Sequence, residues 1–325
     1  MMDRKYAMIL GNLGNTRDRF CNGYKQNSTN MEMLQQAVKI PFVTGIELVG
    51  TWDIDEDNLH IMKKQLGDLG LHCVSIIPDL FADPLWWKGS YTSPDASIRR
   101  KAMNYTRKMC DIAIELNCPT MNIWPGQDGY DYLLCTDYAA HRAWMCEAIT
   151  ELAQAYPGLL FALEYKPKEP RTHSTLARMA DTLLLAQETG CKNVGVTIDT
   201  GHAYMAGEVV AESIILAERA GNRLFHMHFN DNHGSWDDDM IVGSVHTICY
   251  LETLYWLDRI SYDGWLSMDQ YPYREDGAAA ISESILWLKR FDELIQAHRN
   301  EIDQIIADGD AVHTSQFLRK ALLEA

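Results

Sequence analysis

Four segments of the 325-residue sequence end in side chains able to bind a divalent cation: Glu164-Tyr165-Lys166, Asp199-Thr200-Gly201-His202, His226 through Asp231 (HMHFND), and Asp269-Gln270. A further segment adds the run Asp237-Asp238-Asp239, whose alternate members point the same way if the chain there is extended. Each of the first four sits on an apolar stretch (LLFALE, VGVTI, LFHMHF and GWLSM) that carries it to the edge of a hydrophobic interior. A lone charge at such an edge is costly unless a cation or a hydrogen-bonded partner offsets it. Gly201 permits a sharp turn on which Asp199 and His202 converge. His226 and His228 share strand parity, so one suffices as a ligand while the other supports it; His228, nearer the strand end, is favoured. Singly, a strand-end glutamate is more often solvated, His202 is a helix start, and an aspartate run is a solvated loop. Together these groups supply ligands for two metal ions, and carboxylate with imidazole donors suits Mn²⁺, Mg²⁺ or Co²⁺.

A repeating pattern of strand and helix must hold these ends together. Short β-rich runs at 6–10, 45–49, 72–77, 119–124, 159–164, 194–198, 224–229 and 264–268 alternate with amphipathic stretches at 31–39, 56–69, 97–116, 137–156, 174–190, 206–220, 246–259 and 277–297. About eight βα units close a parallel barrel, and the fold expected is an α/β (β/α)8 TIM barrel, whose chemistry lies at the strand C-terminal ends. A doubly wound sheet is the rival, but no Gly-rich phosphate fingerprint follows any strand. No linker divides the chain, so residues 1–297 read as one catalytic barrel domain. Residues 298–325 read as a C-terminal helical tail that packs on its own barrel or on a neighbouring subunit.

Composition narrows the partners. With 45 acidic residues against 29 lysines and arginines, the formal charge is −16, which opposes the phosphate-neutralising face that nucleic-acid binding needs. The eight cysteines are scattered without a C-x-x-C pair and read as reduced, as in the cytosol. The N-terminal apolar stretch is too short for a signal peptide, and no segment reads as a membrane span. The expectation is a soluble, cytoplasmic protein that binds neither nucleic acid nor membrane.

The series E-x-K (Glu164 to Lys166), D-x-G-H (Asp199 to His202), H-F-N-D with D-D-D and G-S (His228 to Ser244), and D-Q (Asp269, Gln270) resembles the xylose-isomerase-like barrels. The likeness is greatest to the L-rhamnose isomerase branch, and the D-tagatose 3-epimerase branch shares part of the pattern. It covers residues 159–270, with support from N-I-W-P-G-Q-D-G at 122–129. The resemblance implies that Glu164, Asp199, His228 and Asp269 hold a structural metal, and that His202, Asp237 and Asp239 hold a second, catalytic one. It also implies that Lys166 polarises a substrate oxygen. The spacing from His228 to the aspartates is one residue longer than in the rhamnose isomerase pattern, which leaves Asp237, Asp238 and Asp239 open as alternatives. Gly234 stands where the epimerases carry an arginine, and no N-terminal histidine for ring opening is evident.

Read this way, the protein interconverts an unphosphorylated aldose and ketose with two divalent ions, Mn²⁺ first among them, and with Lys166, Glu164 and Asp269 as catalytic groups. The monosaccharide would stack on Trp124 at the end of strand four and on Phe81 and Trp86 in the loop after strand three. Near the mouth Lys166, Lys168 and Arg171 are the clustered cations, without the Arg fork or glycine loop that a phosphate calls for. A homodimer or homotetramer is expected. The alternatives are a one-metal ketose 3-epimerase with Glu164 and Asp269 as acid and base, a metal-dependent DNA-repair endonuclease, which the charge of −16 opposes, and a sugar-binding module.

Overall fold

The computed structural model describes residues 4–17 and 20–323. Eight parallel strands close into a barrel: β1 (Lys5–Ile9), β2 (Val43–Val49), β3 (His72–Ile77), β4 (Thr120–Ile123), β5 (Leu160–Glu164), β6 (Val194–Asp199), β7 (Leu224–Phe229) and β8 (Trp265–Met268). Each strand pairs with its sequence neighbours, and β1 pairs with β8 to complete the ring. The helices around it are α1 (Asn30–Ala37), α2 (Leu59–Leu69), α3 (Ala96–Glu115), α4 (Tyr138–Ala155), α5 (Met179–Glu188), α6 (Thr200–Met205), α7 (Val210–Arg219) and α8 (Thr247–Arg259). This is the (β/α)8 architecture that the alternation of periods predicts. Among the described residues no helix is long and apolar enough to cross a membrane.

Strand alternation divides the side chains into two layers. One set, including Met8, Ile46, Leu48, Phe161, Leu163, Val196, Ile198, Met227 and Phe229, lies in the main hydrophobic core shared with the helices. The opposite set points into the barrel and is largely polar: Glu47, Ser75, Asn122, Thr197, His226 and Ser267 are all buried there. At the mouth end of the same layer, Ile9, Val49 and Ile77 form a separate small cluster backed by Phe81.

Three stretches differ from the periodicity reading. The helix expected over 174–190 shortens to α5, and His173–Ser174 pairs antiparallel with Gly129–Tyr130 outside the barrel. The helix expected over 206–220 shortens to α7, and an unexpected helix, α6, precedes it, capped by Asp199, which accepts from the His202 backbone N–H at 2.8 Å. The eighth helix does not stop at 297: α9 runs Gly277–Asp308 through a non-helical His298 (φ −120°), and α10 follows at Ala311–Leu323. This tail lies on its own barrel, with Ile302, Ile305, Phe317 and Ala321 buried in the main core.

Candidate metal and sugar site

The barrel brings Glu164, Asp199, His228 and Asp269 together from β5, β6, β7 and the first residue after β8. One ligand atom from each lies within 4.8 Å of the others. His228 Nδ1 stands 3.2 Å from Glu164 Oε1, 3.1 Å from Asp269 Oδ2 and 3.9 Å from Asp199 Oδ2. The second Glu164 oxygen accepts from Asn122 Nδ2 at 2.7 Å, and Asn122 in turn accepts from Thr197 at 2.6 Å. Asp199 is held by Asn230 Nδ2 at 2.8 Å.

Asp199 also belongs to a second group with His202 and Asp237. His202 Nε2 is 3.0 Å from Asp237 Oδ2, and its Nδ1 is 3.3 Å from Glu164 Oε1. Lys166 Nζ pairs with Asp237 at 2.9 Å and with Glu169 at 2.7 Å, and lies 5.2 Å from the Trp124 ring centroid. Phe81 packs on Trp124 with ring centroids 4.6 Å apart, and Trp52 meets Phe81 edge-on at 5.6 Å. A cavity of about 890 Å³ opens beside this group, lined in part by Glu169, Trp236, Asp237, Asp239, Gln270 and Tyr271.

The electrostatics are those of buried carboxylates crowded around one lysine and two histidines. Burial pushes the Asp199 carboxyl up to about 7, and the Asp237, Asp269 and Glu164 charges add to the shift against the pull of His202. Burial likewise raises Asp269, and it raises Asp239 well above the usual range with help from Asp237. Burial opposes charge on His202, yet Asp199 and Asp237 outweigh it and bring the imidazole to about 9. Asp237 is held well below the ordinary carboxylate range against its burial, by Lys166 and His202. The buried atoms His202 Nδ1, Asp237 Oδ1 and Asp269 Oδ1 have no hydrogen-bond partner. Buried oxygen and imidazole donors left over in this way fit a hard divalent cation, which would supply the missing partner.

Of the aspartate run, Asp237 enters a ligand group, while Asp238 Oδ2 accepts from the His233 backbone N–H at 3.1 Å. Asp239 has φ +50° and sits beside the charges of Asp237, Lys166 and Asp269, outside both ligand groups. Trp86 is 5% exposed within the main core; it packs beneath its loop and presents no face on which a ligand could stack. Gly201 does not make a turn either. It lies inside α6, and it must be glycine because a Cβ there would stand 1.9 Å from Asn230 Oδ1. Sequence reasoning missed Glu47, which accepts from His226 Nε2 at 2.9 Å, and the supporting amides Asn122 and Asn230. The available signal was a carboxylate with inward parity in the otherwise apolar GIELV strand.

The xylose isomerase-like TIM barrel family model matches residues 35–291. The chain belongs to this family. A curated member, the xylose isomerase of Thermus thermophilus, is 29% identical over 234 residues, which are 69% of this chain; the match spans only 60% of that protein. Two solved structures share the fold. A D-tagatose 3-epimerase-like protein has a TM-score of 0.69 at 19% identity, covering 90% of this chain and 98% of that one. A D-psicose 3-epimerase crystallised in the presence of D-fructose has a TM-score of 0.67 at 18% identity, with 88% and 97% covered. These matches support the xylose isomerase-like family as a whole and do not single out the rhamnose isomerase branch.

Proposed function

We propose that this protein interconverts the aldose and ketose forms of an unphosphorylated monosaccharide. Glu164, Asp199, His228 and Asp269 would hold one divalent ion, Mn²⁺ foremost with Mg²⁺ or Co²⁺ as alternatives, and Asp199, His202 and Asp237 a second, with Asp239 in reserve beside them. A divalent cation in this place polarises the hydroxyl and carbonyl oxygens of a bound sugar. The observation that carries the reading is Lys166: it is buried, paired with Asp237 at 2.9 Å, and thereby placed against the second ligand group. Its ammonium is fixed before substrate arrives, so it can donate to a sugar oxygen as negative charge develops there without reorganising. Trp124 and Phe81 offer apolar ring faces to the sugar C–H bonds. An unphosphorylated substrate suits the cations present: Lys166 is held by Asp237 and Glu169, Arg171 pairs with Asp131 at 2.7 Å, and Lys168 lies over Trp236.

One observation favours a second reading, a ketose 3-epimerase. Burial opposes ionisation of Glu164, but His228 overrides it and holds the carboxyl low, whereas burial raises Asp269. One carboxylate is thus ready to take a proton and the other to give one. Turnover of free sugars with Mn²⁺ in D₂O, stopped early and read by NMR, separates the two. Aldose–ketose products free of carbon-bound deuterium are expected. Deuterium at C3 would replace this reading with the epimerase, and deuterium at C1 or C2 in proportion to product would exclude a hydrogen transfer confined to the substrate.

A further inference from the structure

We propose that Glu47 is a positioning residue that fixes His228 with Nε2 bearing a proton and Nδ1 facing the ligand group. The inference rests on the reading that Glu164, Asp199, His228 and Asp269 hold a divalent ion. Glu47 lies mid-strand on β2, is fully buried, and reaches across the barrel interior to β7 and β8. Its carboxylate meets His226 Nε2 at 2.9 Å and His228 Nε2 at 3.2 Å, and it accepts a hydrogen bond from the Ser267 hydroxyl. A carboxylate only accepts, so both imidazoles must present Nε2–H to it. Three donors around one buried acceptor satisfy it, and this geometry leaves His228 a single nitrogen for other work. That nitrogen, Nδ1, is the one within 3.1 to 3.2 Å of Asp269 and Glu164. His226 stands edge-on to His228, ring centroids 5.0 Å apart at 81°. A ligand histidine whose far nitrogen is tied to a carboxylate is fixed in orientation and made a better donor, and loss of such a partner typically weakens metal binding about 10–100-fold.

The same three residues, Glu47, His226 and His228, are spaced closely enough to be a metal site themselves, and the experiment separates the two arrangements. In the full-length Zn²⁺-loaded protein, ¹⁵N-imidazole NMR should show His228 protonated at Nε2 and coordinated through Nδ1. Coordination through Nε2 would overturn the proposal without any variant being made. Calorimetric titration with Mn²⁺ should show about 10–100-fold weaker binding in Glu47→Met at unchanged stoichiometry, with Glu47→Gln as the isosteric second variant should the first not fold. His226→Gln, which keeps a donor toward Glu47, should bind within about threefold of the parent. Unchanged affinity in the folded Glu47 variants would reduce Glu47 to a buried structural group. Loss of one whole ion in both Glu47→Met and His226→Gln would make the trio a metal site instead. Mn²⁺ binding untouched in His228→Gln would remove the metal reading itself, and the proposal with it.

Discussion

The two sides of the barrel mouth are built from the same strand positions and opposite chemistry. On β1, β2 and β3 the inward layer ends in Ile9, Val49 and Ile77, closed over by Phe81. On β5 to β8 it ends in Glu164, Asp199, His228 and Asp269. The aromatic residues Trp52, Phe81 and Trp124 continue the apolar side outward, and Lys166, Glu169 and the 237–239 loop continue the charged side. On the proposed function, an apolar wall beside a charged one would lessen the screening of the charges by water and offer a sugar one surface for its C–H bonds and another for its oxygens. The division predicts that substitutions on the charged side abolish chemistry, whereas those on the apolar side change stability or substrate binding.

The largest effect is expected from Glu164→Gln, which should lose bound metal and lower turnover by about 10³-fold or more, as chelation of the parent should, with Mn²⁺ restoring only the parent. Metal analysis by atomic emission checks it, and full metal content in the variant would show that the charged side does not act as a ligand set. Lys166→Met comes next: kcat should fall about 10²–10³-fold with metal content and KM nearly unchanged, because the ammonium acts on developing charge rather than on the cation.

Removal of metal should make stability depend on pH. Asp199 titrates near 7 in the native protein and near 4 when unfolded, so the native state holds the extra proton between those values and stability falls as pH rises through that window. His202, brought to about 9 from about 6.5, contributes stability that is complete below its unfolded value and lost as pH climbs toward 9. Glu164 and Asp237 are held low and add no slope above pH 5. The Tm of the chelated protein should therefore decline from pH 5 to 9, and Asp199→Asn should flatten the lower part of the curve. A metal-free Tm that rises over this range would contradict the crowding on the charged side.

On the apolar side the effects are smaller. Ile77→Val should cost about 1 kcal/mol of stability in chemical denaturation and leave metal stoichiometry intact. Trp124→Phe should raise KM a few-fold, about 1 kcal/mol, with kcat within twofold. A kcat loss as large as that of Lys166→Met would move Trp124 from the wall to the reacting atoms.

Much of this was legible along the chain, because the relevant signals are local. A strand's period of two and a helix's period of 3.6 are written in consecutive residues, so eight βα units and the closing of a parallel barrel followed from pattern alone. The strand-end groups at Glu164, Asp199, His228 and Asp269 followed as well, since a parallel barrel must gather the ends of its strands at one face. What only the tertiary structure decided depends on which distant groups meet. Glu47 lies 179 positions from His226, and its role could be read only once the barrel had closed around both. That Asp237 rather than Asp238 joins a possible ligand group depends on a loop whose path rests on the His233 and Lys166 contacts, and no periodicity encodes such a path. Trp86 looks like a candidate stacking face in sequence and is core in space, because an aromatic ring is equally suited to either and burial is a property of its neighbours. Gly201 is required by the carboxamide of Asn230, 29 residues later, rather than by the conformation of its own backbone. The chain's own alternation thus placed the candidate ligands on one rim, and packing across the barrel decided which way each of them points.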